Sequence, residues 1–257
     1  MQILEIGLPV LVAGLLILAS HIPLGYQVLK RGIVFIDLAI AQVAALGTVL
    51  AAQWFSYEDG QWVLQAVAIA FALLGVGFVA WINRSFPKYR EAFIGLIYVL
   101  AASVLVLLVA GQPKGGQLLT STLSGDILWL DWQDLILLAL VAVLVQLLTH
   151  ILPEKLERYF YLIFAITITL SVVKAGIYLV FVCLIAPALA SIVYNRSNLW
   201  SYLVGVFGFV LGLSVAWNFD LPAAACIVVS LILSLLMALI LQQQFSRSVA
   251  VSQKHSD

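Results

Sequence analysis

One carboxylate, Asp37, lies about two turns into an apolar run long enough to cross a membrane. The run covers residues 32–55 and follows the basic pair Lys30 and Arg31. A carboxylate in hydrocarbon costs roughly 3 kcal/mol on insertion scales, so it persists where it faces a bundle interior, a watery path or a partner charge. We expect Asp37 either to be a metal ligand on a cation path or to be a structural acid paired with Lys30 or Arg31.

Two more polar side chains are candidates for the same translocation path. Gln42 lies five residues beyond Asp37, and its amide can offer a carbonyl oxygen to a cation or hydrogen-bond a neighbouring helix. His21 lies beside Pro23 in the first apolar segment. A neutral imidazole is a good ligand for zinc or manganese, although a lone histidine is also common as a hydrogen-bonded core residue. Both alternatives stay open for each side chain.

The remaining polar residues in the apolar segments favour structural roles. His150 falls at the end of the fifth segment, where an interfacial position is expected. Lys174 is expected at headgroup level, because a basic group on a cation path would repel the cation. Cys183 and Cys226 both lie in apolar runs and are expected to be inert core residues rather than a disulfide.

Composition identifies the class of protein. The chain has 257 residues, of which 64% are hydrophobic and 9% are charged, against about 25% charged in soluble domains. The apolar residues come in blocks of about twenty, the length that spans the hydrocarbon of a bilayer. This predicts an all-α, polytopic transmembrane helical bundle of about eight to nine spans. The net charge of zero gives no basis for nucleic-acid binding.

The apolar blocks divide the chain into a membrane domain and a tail. We expect the domain to occupy residues 1–242 and a polar, disordered cytoplasmic tail to occupy 243–257. A polar loop with a short interfacial helix is expected over 111–134, and an acidic turn over 56–60. The predicted spans are 5–27, 32–55, 61–83, 92–110, 135–152, a short one from 160 ending near Lys174–Gly176, 177–194, 199–217 and 223–242.

The distribution of basic residues predicts the orientation. Cytoplasmic loops carry an excess of Lys and Arg. If the loop with Lys30 and Arg31 is cytoplasmic, alternate loops and the tail hold ten of the twelve basic residues. We therefore expect the N-terminus outside and the C-terminus in the cytoplasm.

No nucleotide-hydrolysis motif is visible in the sequence. The chain contains no Gly-x-x-x-x-Gly-Lys-Ser/Thr phosphate loop, and no Ser/His/Asp or His-Glu-x-x-His arrangement. The chain is therefore expected not to be an enzyme, and any ATPase that drives transport must be a separate subunit. The charged segment Pro153–Tyr159 is either a docking element for such a motor or an ordinary solvated loop. Its candidate docking residues are Glu154, Lys155, Glu157 and Arg158.

Five stretches, in order, resemble the ABC-3 family of metal-importer permeases. The most specific is the Gly-x-x-Leu-Val and Leu-Ile-x-Pro-Ala-x-x-Ala pattern, which matches residues 176–190. The other four are the region from Leu24 to Gly47, Glu91-Ala-Phe-Ile-Gly95, Gly125-Asp-Ile-Leu128 and Asp220-Leu-Pro222. Two positions depart from the pattern. Ala41 stands four residues after Asp37 where the family usually has His, and Ala follows Pro222 where the family prefers Gly.

The resemblance implies a complete uptake system in a bacterial inner membrane. It implies a second permease copy in a homodimer, or a heterodimer with a similar permease, together with two cytoplasmic ABC ATPases and an extracytoplasmic metal-binding protein. The family's coupling helix corresponds to residues 153–159. The cargo would be a divalent metal ion, zinc or manganese, with no permanently bound cofactor.

Three alternatives remain on the sequence alone. An ABC permease for a metal chelate would need a wider, less charged path. An ion-coupled secondary carrier would show internal repeats with matching intramembrane acids, and no convincing repeat is visible. A structural membrane subunit would not depend on Asp37.

Overall fold

All the regular secondary structure of the described residues is helical. The computed structural model describes residues 2–54, 61–85, 87, 90–109, 125, 127–193 and 195–254. A single 3₁₀ turn, Ile127–Trp129, precedes α5. The α-helices are α1 Gln2–Arg31, α2 Ile36–Trp54, α3 Gln61–Ser85, α4 Arg90–Val109, α5 Trp132–Ile151, α6 Pro153–Arg158, α7 Phe160–Ala175, α8 Ile177–Ile192, α9 Asn198–Phe219 and α10 Ala223–Lys254. The all-α prediction is confirmed for these residues.

Five of the helices, α1, α3, α5, α9 and α10, are long and apolar enough to cross a membrane. In the part of the chain with described side chains, the apolar stretches of α2, α4, α7 and α8 are shorter. An all-helical bundle with five candidate membrane spans among the described residues is therefore confirmed, whereas eight to nine spans stays a prediction. The turn 56–60 and most of the loop 111–134 lie outside the described residues.

The expected break at Lys174–Gly176 is confirmed. Gly176 ends α7 and begins α8 with a φ of +81°, a backbone conformation open to glycine at little cost. The short helix expected at the charged segment also forms, and Pro153 occupies its first turn, where a missing N–H costs nothing.

Two helix boundaries differ from the sequence prediction. The second span was predicted from residue 32, but α2 begins at Ile36, because residues 32–35 form a hydrogen-bonded turn with Gly32 at a φ of +61°. The tail was predicted to be disordered from residue 243, and this is wrong up to Lys254, because α10 continues to that residue. The chain holds no glycine or proline after Pro222 that would end the helix.

The helices pack as two groups that share α7. In the first group α1 packs on α5, α8 and α9, and α8 also packs on α9 and α10. In the second group α2 packs on α3 and α4, and both α2 and α3 contact α7. Large apolar side chains such as Leu74, Leu107 and Leu140 point outward, as in helices that face lipid.

Glycines allow two close helix crossings. A Cβ at Gly25 of α1 would lie 2.0 Å from the carbonyl oxygen of Leu184 in α8. Gly208 and Gly212 on α9 face α10 with similarly little space, since added Cβ atoms would lie 2.9 Å and 2.4 Å from the Cα atoms of Leu231 and Ile227. Small residues of this spacing let membrane helices approach through van der Waals contact. The α1–α8 crossing fixes the centre of the bundle.

Candidate functional site

Asp37 lies in the first turn of α2, not two turns into a span as the sequence predicted. Its side chain is 2% exposed. The Oδ1 atom is buried without a hydrogen-bond partner among the described residues. Asp37 is therefore a buried carboxylate with spare acceptor capacity at one end of the bundle.

The two cations expected as structural partners of Asp37 are engaged elsewhere. Lys30 Nζ lies 3.0 Å from Glu157 Oε1 of α6. Arg31 Nη2 donates to the backbone carbonyl of Glu157 at 3.0 Å, and its guanidinium lies 4.6 Å from the centre of the Phe160 ring. The structure therefore does not pair Asp37 with either residue, which argues against the structural-acid interpretation.

The turn that precedes Asp37 is held by the start of α4. The backbone N–H of Val34 donates to Glu91 Oε1 at 2.6 Å. Arg90 lies over Gly32, where an added Cβ would come within 2.8 Å of its Nη2. We call the end of the bundle formed by residues 30–35, 90–91 and 153–161 the basic end. The sequence signal for the contact with Val34 was Glu91, a glutamate at the start of an apolar span. Sequence analysis used Glu91 as part of a family motif but assigned it no role.

The other two candidates for the path are also buried, each on its own helix. Gln42 on α2 is 3% exposed. His21 on α1 is 0% exposed, and its Nδ1 lies 2.9 Å from both the carbonyl of Ile17 and the hydroxyl of Ser20. A proton on Nδ1 leaves Nε2 with a free lone pair, and Nε2 has no partner among the described residues. One ring nitrogen of His21 is therefore hydrogen-bonded, and the other is available to bind a cation.

These side chains do not form a closed metal centre. Among the described residues, no three His, Cys, Asp or Glu side chains are grouped closely enough to hold a metal ion. His21 lies ten residues before the end of α1, about 15 Å at helical rise, whereas Asp37 is the second residue of α2. The three candidates are thus spread along the depth of the bundle.

A hydrogen-bonded polar cluster joins α1, α5, α8 and α9, and sequence analysis missed it. The Tyr26 hydroxyl meets the hydroxyls of Ser191 and Ser201. Gln146 Nε2 donates at 2.7 Å to the carbonyl of Ala19 and at 2.7 Å to the Tyr202 hydroxyl. A glutamine inside an apolar span was the available signal.

A cavity of about 240 Å³ adjoins this cluster. Its polar lining includes Tyr26, Gln27, Thr149, His150, Asn198 and Tyr202. His150 is exposed, which agrees with an interfacial position.

At the other end of the bundle, Lys174 pairs with Asp134 at 2.6 Å, as expected for a structural role.

The short helix α6 presents charge on one face and an anchor on the other. Leu156 is 2% exposed and fixes the helix to the bundle. Glu154, Lys155 and Arg158 are exposed. Glu157 differs from them, because the hydrogen bond and charge of Lys30 hold the pKa of its carboxyl below its usual value. Three of the four predicted docking residues are therefore free of ion pairs on the described surface, and the fourth is turned toward α1.

The fold is shared with solved transporter structures. A chain of PsaBC from Streptococcus pneumoniae, solved in complex with a Fab, aligns with a TM-score of 0.74 at 19% identity, over 92% of this chain and 93% of that one. A protein described as a metal-chelate type ABC transporter, in an inward-facing conformation, aligns with a TM-score of 0.62 at 18% identity, over 93% and 86%. No curated protein matches the sequence.

The family is shown by a match along nearly the whole chain. Residues 4–156 and 149–242 match the model of the ABC 3 transport family. The match spans every helix that packs around Asp37, His21 and the polar cluster. The chain therefore belongs to the ABC 3 transport family, and five of its described helices are long and apolar enough to cross a membrane.

Proposed function

We propose that the chain is the permease of an ATP-driven importer of divalent metal ions, zinc or manganese. The observation that carries this proposal is the buried carboxylate of Asp37, which has an unpartnered oxygen and whose neighbouring cations are bound elsewhere. A buried carboxylate without a counter-charge is costly unless a cation visits it. A passing divalent ion supplies that charge.

The donor atoms suit this cargo. Carboxylate oxygen from Asp37 and amide oxygen from Gln42 are hard ligands, and the free Nε2 of His21 is a borderline one. Zinc accepts oxygen and imidazole nitrogen, and manganese accepts the same atoms with a preference for oxygen. Spreading the donors along the bundle favours stepwise transfer, since conduction needs sites that bind weakly enough to release the ion.

The basic end is proposed to face the cytoplasm and to receive the ATPase subunits. Its excess of Lys and Arg follows the positive-inside rule, which gives an external N-terminus and a cytoplasmic C-terminus. Glu154, Lys155 and Arg158 are exposed on a helix that Leu156 anchors, so they offer a charged docking surface. A second permease copy would complete the membrane domain, and an extracytoplasmic binding protein would deliver the ion in a bacterial inner membrane.

Import of a metal chelate is the second candidate. It is favoured by the likeness to a protein described as a metal-chelate type transporter, although a likeness at 18% identity shows the fold alone. A chelate hides the charge of its metal, so this candidate predicts that Asp37 is dispensable. An ion-coupled secondary carrier is no longer favoured, because the family is one of ABC transporters.

Uptake of radioactive zinc and manganese in cells lacking the chain tests the proposal. Wild type should restore uptake, and Asp37→Asn should lower it about tenfold or more, equal to about 1.4 kcal/mol of lost stabilisation of the ion. Asp220→Asn is the matched control. It makes the same change at an exposed aspartate, and asparagine tolerates the backbone φ of +51° at this position. It should therefore leave uptake unchanged.

The outcomes separate the candidates. If loss of the chain leaves zinc and manganese uptake unchanged, the importer of free ions is wrong and the chelate candidate gains support. If Asp37→Asn transports these ions as well as wild type at equal membrane abundance, the role of Asp37 is wrong.

A further inference from the structure

The turn between α1 and α2, residues 30–35, is held by three other elements of the basic end. Arg31 contacts α6 and the start of α7, Lys30 contacts α6, and Val34 contacts Glu91 at the start of α4. The same turn leads directly into Asp37. It is therefore the meeting point of the proposed docking helix and the proposed ion ligand.

Arg31 makes the stronger of the two links, and its contacts reach both α6 and the start of α7. Its Nη2 donates to the Glu157 carbonyl, its guanidinium stacks on Phe160 at 4.6 Å, and Tyr161 lies 5.9 Å away. Phe160 is 0% exposed, so one face of the guanidinium is shielded from water. Cation–π contacts gain strength when they are desolvated.

The neighbouring ion pair is weak by comparison. The side chains of Lys30 and Glu157 are 71% and 51% exposed. Exposed pairs of this kind contribute little to stability because water screens them. Removing Lys30 therefore leaves the connection between α1 and α6 largely intact.

The segment from Arg31 to Asp37 is stiff enough to carry a displacement. Backbone N–H groups of Gly32, Ile33 and Ile36 all donate within the turn, to the carbonyls of Leu29, Val28 and Ile33. Ile33 and Ile36 are both 0% exposed, which packs the turn against the bundle. These contacts join Arg31 to the first turn of α2 without a flexible linker.

We infer that Arg31 is a positioning residue, which transmits movement of α6 to Asp37 and so couples the motor to the ion path. The inference rests on the proposed function in that it takes α6 as the ATPase contact. It goes beyond that function by naming the residue and the route. Movement of α6 reaches α2 through the turn 30–35, in addition to the covalent route through α7.

The test uses the permease purified with its copurifying ATPase and reconstituted in liposomes. Zinc uptake and ATP hydrolysis are measured together for wild type, Arg31→Ala, Arg31→Lys and the control Lys30→Ala. We expect Arg31→Ala to lower the number of ions moved per ATP about tenfold while the ATPase still copurifies. Arg31→Lys should lose part of the coupling, because lysine lacks the planar fork that stacks and donates together. Lys30→Ala should resemble wild type.

A second readout does not depend on the cargo. Spin labels at the exposed positions Phe35 and Tyr159, with Cys183 and Cys226 replaced by alanine, report the distance between the turn and the end of α6. In wild type and in Lys30→Ala this distance should stay constant when nucleotide binds, because the two elements move together. In Arg31→Ala it should change or broaden.

The possible results are decisive. The inference is overturned if Arg31→Ala keeps both the coupling ratio and a constant label distance, or if it merely releases the ATPase, which would make Arg31 a docking residue. If Arg31→Ala does not reach the membrane, Phe160→Leu removes the ring alone and must show the same loss in smaller degree. Wild type that moves no metal while the labels behave as expected would refute the cargo but not the positioning role.

Discussion

Gly25→Ala should destabilise the bundle at its centre. The added methyl carbon would lie 2.0 Å from the carbonyl oxygen of Leu184, whereas an ordinary contact begins near 3.4 Å. That oxygen is part of the backbone of α8 and cannot rotate away. The two helices must therefore separate by about 1.4 Å, the difference between the two distances.

The expected cost follows from two opposing effects. Overpacking of a well-packed core typically costs about 1–3 kcal/mol. Alanine regains up to about 1 kcal/mol of helix propensity over glycine. We expect a net loss of about 2 kcal/mol, which is about a 30-fold change in the folding equilibrium.

Unfolding in mixed micelles with increasing SDS, followed by tryptophan fluorescence, measures this effect. Gly77→Ala is the matched control, because Gly77 lies on exposed helix surface with no atom within 4 Å of the added methyl group. That variant should be as stable as wild type or slightly more stable. Equal stability of the Gly25 and Gly77 variants would refute the close packing of α1 on α8.

Two further predictions concern ion pairs at opposite ends of the bundle. Lys174→Met should lower the free energy of unfolding by about 1–2 kcal/mol in the same assay, a value between those of exposed and buried ion pairs, because it leaves the three-quarters-buried Asp134 unpaired. The double variant with Asp134→Leu should recover part of this loss. Additive losses from the two substitutions would contradict the pairing. Lys30→Ala should raise the pKa of Glu157 toward its usual value, measured by NMR of selectively labelled glutamate. Since the folded-state pKa is lowered, the Lys30 pair stabilises the protein at neutral pH and stops doing so as the pH falls through the carboxyl titration.

Much of the fold follows from local sequence signals. Blocks of apolar residues set the positions of the long helices, and Gly176 marks the break that splits a run too long for one span. Burial of Asp37 and Gln42 was also predictable, because polar groups must avoid lipid. Such signals depend on composition and on residues adjacent in the chain.

The remaining features depend on contacts between distant residues. Arg31 contacts Phe160 and Glu157 and therefore does not pair with Asp37. Nothing near Arg31 in the sequence indicates those partners. The start of α2 at Ile36 depends on a turn that Glu91 holds from another helix. Long-range pairings of this kind determine the chemistry of the site, whereas local periodicity determines its approximate place.

The polar cluster around Tyr26 has a consequence for the way the bundle can move. Its hydroxyl and amide groups tie α1 to α5, α8 and α9 through several hydrogen bonds. Sliding α1 by a fraction of a turn would break these bonds together, so its register is discrete and strongly preferred. We therefore expect those four helices to move as one unit, with relative movement occurring between them and α2, α3 and α4.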